Sequence, residues 1–272
     1  MKRYSFAFIV WMISVSLYSQ EWYIPKPVNM INKGSIELGT RISYTANGDG
    51  IVESPQMEND YYGRFSPFNK LEIYLSVPLI YSKQEKFDQN LNIIEKSATG
   101  IGDMFSQFSY EGFSGPDWKI VYNVDLSFPT GKNPYDNDVG LGSGHFSLGF
   151  GQTVIKVIDP VALFGYIGYK HSFKKKFSAG DVSPGSDIRF KAGSSIVLNP
   201  RITTNFNVML DLVGKTEVNN SKLPASSSNS VYFGWGINWK AKNNINVSVD
   251  SVFGMTKVAT DSTIILGFSW LP

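Results

Sequence analysis

The stretch WKIVYNVDLSF, residues Trp118–Phe128, alternates from end to end. Trp118, Ile120, Tyr122, Val124, Leu126 and Phe128 share one parity, while Lys119, Val121, Asn123, Asp125 and Ser127 share the other. Successive side chains of a strand point to opposite faces, so this reads as a strand with one apolar and one mostly polar face. The same alternation recurs. Ile202, Thr204, Phe206, Val208, Leu210 and Leu212 oppose Thr203, Asn205, Asn207, Met209 and Asp211. Val231, Phe233, Trp235, Ile237 and Trp239 oppose Tyr232, Gly234, Gly236 and Asn238. Ile36, Leu38, Ile42 and Tyr44 oppose Glu37, Gly39, Arg41 and Ser43.

Twelve strands follow, near 34–44, 58–66, 69–80, 99–112, 117–128, 144–158, 161–173, 186–198, 201–214, 230–240, 244–255 and 262–270. Their connections alternate in length. Those after the second, fourth, sixth, eighth and tenth strands are short (SPFN, FSGPD, DP, NP, KNN) and built of turn-forming residues. Those after the odd-numbered strands are mostly long and polar, the last near 256–261 being of modest length. Short periplasmic turns alternating with longer extracellular loops are the pattern of an all-β, antiparallel up-and-down transmembrane β-barrel. An even strand count places both ends of the barrel in the periplasm.

A soluble sandwich also alternates, so further signals must decide. Aromatics collect at strand ends: Trp118, Trp239 and Trp270 at short-turn ends, and Tyr44, Phe128 and Phe253 toward the long loops. Two such girdles suit the two interfaces of a bilayer, where an apolar ring body with a polar tip is favoured. The last strand, STIILGFSWLP, carries Phe268 and Trp270, as a closing strand would. Two details fit less simply. Pro78 falls inside the third strand and is expected near the extracellular rim. The seventh strand, VALFGYIGYKHSF, has apolar residues at both parities, so its orientation stays open.

The composition agrees with this reading. The chain has 272 residues, 25 basic against 23 acidic, and no cysteine. That balance gives no case for nucleic-acid binding, and disulfides are excluded. Lys2 and Arg3 precede the apolar run YSFAFIVWMISVSLY, with small Ser16 and Ser19 beyond it. This is expected to be a signal peptide over 1–19, followed by a periplasmic segment over 20–33 and a barrel over 34–272. No later segment is apolar enough to span a membrane as a helix.

The glycines of FPTGKNPYDNDVGLGSGHFSLGF, Phe128–Phe150, invite a nucleotide-loop reading. A phosphate cradle needs a following helix, but HFSLGFGQTV alternates as a strand, so the bland reading is a long extracellular loop. Asp136, Asn137 and Asp138 lack the spacing of a calcium loop. No metal, cofactor or catalytic group is assigned. His145 and Ser147 have the His-x-Ser spacing of a barrel lipase, but Phe146, Leu148 and Phe150 take the lipid parity, which turns the pair inward. Lys174, Lys175 and Lys176 read as a solvated run, with anionic lipopolysaccharide as the alternative contact. The polar parity supplies candidates for a lumen lining: Glu37, Arg41, Lys70, Glu72, Asp103, Glu111, Lys119, Asp125, Asp187, Arg189, Lys191, Asp211 and Asp250. Both signs occur, so strong ion selectivity is not expected; pairing across a narrow lumen is the competing reading. Twelve strands lie between a filled and an open interior.

The segments ATGIGDMFSQFSY (98–110), VDLSFPTGKNPY (124–135) and GLGSGHFSLGFG resemble the outer-membrane family of meta-pathway phenol-degradation proteins and transporters. The resemblance rests on Gly100, Gly102 and Asp103, on Pro129, Thr130 and Gly131, on Gly142 and Gly144, and on LSVPLIY with its Pro78. It implies a barrel in the outer membrane of a Gram-negative bacterium, with a role in moving small hydrophobic or aromatic compounds, and nothing in it implies a phenol-cleaving activity. Its surroundings would be outer-membrane lipid and lipopolysaccharide, with the outer-membrane assembly machinery acting at insertion. A structural or interaction barrel, or a lipid-modifying barrel enzyme, are the alternatives to a channel.

Overall fold

The computed structural model describes residues 30–46, 54–87, 93–178, 180–224 and 226–272. The expected signal peptide, and the periplasmic segment up to residue 29, lie outside the described residues. The strands are β1 (Ile36–Ala46), β2 (Gln56–Phe68), β3 (Leu71–Phe87), β4 (Ile93–Ile101), β5 (Met104–Ser114), β6 (Trp118–Phe128), β7 (Ser147–Ile158), β8 (Val161–Ser172), β9 (Lys175–Phe177), β10 (Gly180–Ser183), β11 (Asp187–Asn199), β12 (Ile202–Val213), β13 (Glu217–Val218), β14 (Ser221–Lys222), β15 (Ser228–Lys242), β16 (Ile245–Gly254) and β17 (Ser262–Trp270). β4 and β5 are two halves of one stave, both pairing with β3. The wall therefore has twelve antiparallel staves, and β1 closes it against β17 from Leu38↔Trp270 to Ala46↔Ser262.

Closure is the physical point of this topology. Each central strand finds ladder partners on both sides, so no sheet edge is left in lipid with unsatisfied backbone groups. No helix among the described residues is long and apolar enough to cross a membrane; the crossing is made by strands. The apolar parity points outward: Leu38, Ile42, Leu75, Tyr122, Phe150, Ile167, Leu266 and Phe268 are all exposed on the outer surface. The opposite parity is turned inward and largely buried. β8 is thereby oriented: Leu163, Ile167 and Tyr169 face out, while Phe164 is buried inside. Phe164 and Tyr166 fit inside because they lie against inner-wall glycines, Phe164 over Gly193 and Tyr166 over Gly151.

The structure differs from the sequence reading in four places. β3 and β4 run far past their expected ends, pairing out to Phe87↔Ile93. This outer hairpin mixes Ile93 and Ile94 with Lys83, Glu85, Glu95 and Lys96, Lys83 bonding Glu95 at 2.8 Å, so it carries no period-2 hydropathy. Two of the long loops contain short strands: β9–β10 and β13–β14 join through β10 and β13 into a four-stranded sheet. Strands of two to four residues are too short for a period to show. Lys70 is not on the wall; it is an exposed residue of the β2–β3 turn, at φ +70°. Its parity matched that of Glu72, but the turn begins before the strand does. Pro78 sits near the middle of the 17-residue β3 rather than at its rim.

Candidate functional site

The interior has two parts: a charged lumen wall and a loop folded into its extracellular mouth. On the wall, β1, β2 and β3 bring three rows together. Arg64 donates to Glu37 at 2.9 Å and to both Glu72 oxygens at 2.9 and 2.8 Å. The Ile31 amide, just ahead of β1, also donates to Glu72, at 3.0 Å. Higher up, Arg41 pairs with Asp60 and donates to the Tyr74 hydroxyl, with its guanidinium over the rings of Tyr62 and Tyr74. Across the barrel, Arg189 binds Asp211 through two bonds of 2.6 and 2.9 Å. Lys170 pairs with Asp187 at 2.9 Å, and Lys119 lies 3.7 Å from Glu111. Asp125 accepts from the Gln107 amide at 2.8 Å. Lys191 and Asp250 are buried on the same inner surface.

Eleven of the thirteen proposed lumen residues thus stand on the inner wall, the exceptions being Lys70, in its turn, and Asp103, described below. Four inward charges escaped the sequence reading: Glu58, Asp60 and Arg64 on β2, and Lys170 on β8. Their alternation was present in QMENDYYGRFSPF, but adjacent Tyr61 and Tyr62 put a large ring on each face and masked it. The named girdle residues are all exposed outside, Trp118, Trp239 and Trp270 at turn ends and Tyr44, Phe128 and Phe253 at loop ends.

The mouth is built around one missing amide. Gly102 donates its N–H to the Pro78 carbonyl at 2.9 Å, but Pro78 has no N–H to return. Above this point the β3 ladder pairs Leu79 with Ile101; below it Ser76 pairs with Phe105, so one extra residue is accommodated between β4 and β5. Thr130 repairs the gap: its hydroxyl donates to the Gly102 carbonyl at 2.7 Å and accepts from the Met104 amide at 2.9 Å. Beside the bulge, Asp103 reaches the 129–146 loop. Its carboxylate accepts from the Gly131 amide at 3.0 Å, the Ser143 amide at 2.6 Å and the Ser143 hydroxyl at 2.7 Å. Asp103 is therefore a loop clamp rather than an open wall charge, because loop donors take up its carboxylate.

The loop so held packs inward. Leu141 is 1% exposed and lies against Gly100, whose ladder partner Ile80 faces the lumen. Glycines are needed at two points of closest approach. A side chain at Gly142 would occupy the place of the Asp103 carboxylate, and Gly144 takes φ +75° where the chain turns into β7. The glycines that resemble a phosphate cradle thus serve a backbone-on-backbone contact inside a barrel mouth.

A second fastening ties this loop to β9. The Tyr135 and Phe177 rings stack at 4.5 Å, and the His145 ring meets both edge-on. Asp136 accepts from the Ser178 amide at 2.8 Å, and those Ser178 hydrogen bonds hold its carboxyl below the usual range. Burial pushes the Tyr135 hydroxyl up to about 12. Burial also lowers the His145 imidazole, against the opposing pull of its bond to the Phe173 carbonyl. With a carbonyl as partner, Nδ1 carries the proton, at 2.9 Å, and the buried Nε2 has no partner. Ser147 bonds Ser172 at 2.8 Å. His145 and Ser147 are each engaged elsewhere, so the His-x-Ser spacing does not assemble a nucleophile and its base.

Fold and interior together define a transmembrane β-barrel of the outer-membrane class. The chain belongs to the family described as "Putative MetA-pathway of phenol degradation", whose model matches residues 69–271. The COG4313 outer membrane channel from Pseudomonas putida F1 superposes with a TM-score of 0.75 at 10% identity, covering 91% of this chain and 99% of that one. The NanC porin gives 0.56 at 9% identity, over 86% of this chain and 98% of that one. The translocator domain of the autotransporter NalP from Neisseria meningitidis gives 0.50 at 11% identity, over 98% and 94%.

Proposed function

We propose that this barrel is a passive channel of the outer membrane for small polar solutes, exported through a cleaved signal peptide over 1–19. The observation that carries the reading is the sidedness of the wall. Apolar residues meet lipid, while the inner rows present Arg, Lys, Asp, Glu, Asn and Gln to the lumen. An interior of that chemistry stabilises a hydrated solute and offers little to a hydrophobic one, whose polar surroundings would go unpaired with it. The hydrophobic or aromatic cargo that the family name suggests is therefore the less favoured arm. The fold shared with channels and porins supports passive diffusion as the mechanism.

The test is swelling of liposomes loaded with the purified, folded barrel. Small sugars and amino acids should enter in order of size, and planar bilayers should show discrete conductance steps. A folded barrel that admits no solute and passes no current would leave a structural or interaction role.

A further inference from the structure

The inner wall holds both signs, but not in equal number. Its buried and half-buried cations are Arg41, Arg64, Lys119, Lys170, Arg189 and Lys191. Each lies beside at least one carboxylate of the same wall: Arg41 on Asp60, Arg64 on Glu37 and Glu72, Lys119 on Glu111, Lys170 on Asp187, Arg189 on Asp211, and Lys191 in the field of Asp250 and Asp211. Glu58 and Asp125 stand on the same inner rows, which makes nine carboxylates against six cations among the described residues. Arg64 is bonded to two carboxylates at once, Asp125 accepts from a neutral amide, and Glu58 shares the β2 inner row with Asp60. A second observation points into the lumen at that row. Asp60 is 5% exposed, its Oδ2 takes Arg41 and Tyr74, and its Oδ1 is buried without a partner. An anionic oxygen in that position has acceptor capacity that the protein leaves unused.

We propose that the lumen selects for small cations, and that the β2 row of Glu58 and Asp60, with Asp125 across the wall, sets this preference. The inference rests on the channel reading and gives the solute a sign. The physical reason is field focusing: a surplus of one sign on low-dielectric walls raises the local concentration of counter-ions and repels co-ions. Acidic side chains lining a pore favour cations for the same reason. Deleting Asp60 would strand Arg41, so Glu58 and Asp125 are the residues to change. Neither is the sole partner of a cation, and amide isosteres keep their volume.

The experiment is reversal-potential measurement in planar bilayers under a KCl gradient, with heat-modifiable mobility on gels to show that each variant is folded. The native barrel should pass potassium over chloride by roughly 3-fold or more. The double variant Glu58→Gln/Asp125→Asn should bring that ratio toward 1, and Lys191→Gln should raise it. Raising the salt should weaken the preference, since screening shortens the reach of these charges. A native ratio of 1 or below, or a folded double variant whose ratio does not move, overturns the proposal while leaving the channel standing. Absence of any current overturns the channel reading, and this inference with it.

Discussion

Removal of the Asp103 carboxylate, as Asp103→Ala, should unlatch the mouth loop without unfolding the barrel. Three donors lose their acceptor at once: the Gly131 amide, the Ser143 amide and the Ser143 hydroxyl. Hydrogen bonds to a charged group are worth about 1.5–3 kcal/mol each, but they act as one unit here and part of the loss returns when water reaches the opened loop. A net local cost of about 1.5–3 kcal/mol follows, which is roughly a 10- to 100-fold rise in the open population. Hydrogen–deuterium exchange of the detergent-solubilised or vesicle-inserted protein reads this directly. The Gly131 and Ser143 amides should exchange 10- to 100-fold faster, while the β15, β16 and β17 ladders, remote from the loop, keep their rates. Because Leu141 packs against the inner side of Gly100, single-channel conductance should rise too. Unchanged exchange at Gly131 and Ser143 would refute the clamp.

The other expectations are simpler. Leu266→Arg, placed outside between Ile42 and Val249, should cost roughly 2–4 kcal/mol in urea unfolding from vesicles; a cost under about 0.5 kcal/mol would mean that face does not meet lipid. At Lys70, φ +70° favours glycine, so Lys70→Gly should hold or gain up to about 1 kcal/mol and Lys70→Val should lose about 1–2 kcal/mol in the same assay. His145 is held below its ordinary range, so the closed loop binds fewer protons than the open one and closure is fully favoured only above the ordinary histidine range. As pH falls below about 6.5, the protection of residues 131–145 relative to the intrinsic exchange rate at each pH should therefore fall. The neighbouring charges, Lys175 and Asp103, act in opposite directions on this group. In His145→Phe the pH step should vanish; a step that persists assigns it to another group.

Period-2 hydropathy made all twelve staves legible, because lipid on one side and a polar lumen on the other impose opposite chemistry on alternate residues. Where that contrast fails, so does the reading. The outer β3–β4 hairpin has no apolar parity, and its Lys83, Glu85 and Glu95 form ion pairs that no alternation announces. β2 hid its inner charges behind a Tyr61–Tyr62 pair, one ring in each direction. β8 carries Phe164 and Tyr166 inside, permitted by Gly193 and Gly151 on neighbouring staves and, for Tyr166, by Gly168 of β8 as well. Asp103 has the parity of Gln107 and Glu111, and nothing in its own strand announces that loop amides and a hydroxyl take up its charge.

That bulge shows why short, scattered motifs travel together in this chain. Pro78, Gly100, Gly102, Asp103, Thr130, Gly131, Gly142 and Gly144 are spread over 67 positions (from 78 to 144), yet they meet in one place. A proline in the middle of a sheet removes one donor, which in lipid or a narrow lumen leaves a carbonyl unpaired. Gly102 bears that carbonyl, and Thr130 supplies the replacement hydroxyl. The extra residue that relaxes the ladder frees Asp103 to reach the loop, and the loop can come close enough only because Gly131 and Gly142 carry no side chains. Each residue is required by the one before it, so a proline that weakens a strand becomes the anchor of the mouth. The place of the loop is thus written into the wall, and it follows from the break in the ladder rather than from the loop's own sequence alone.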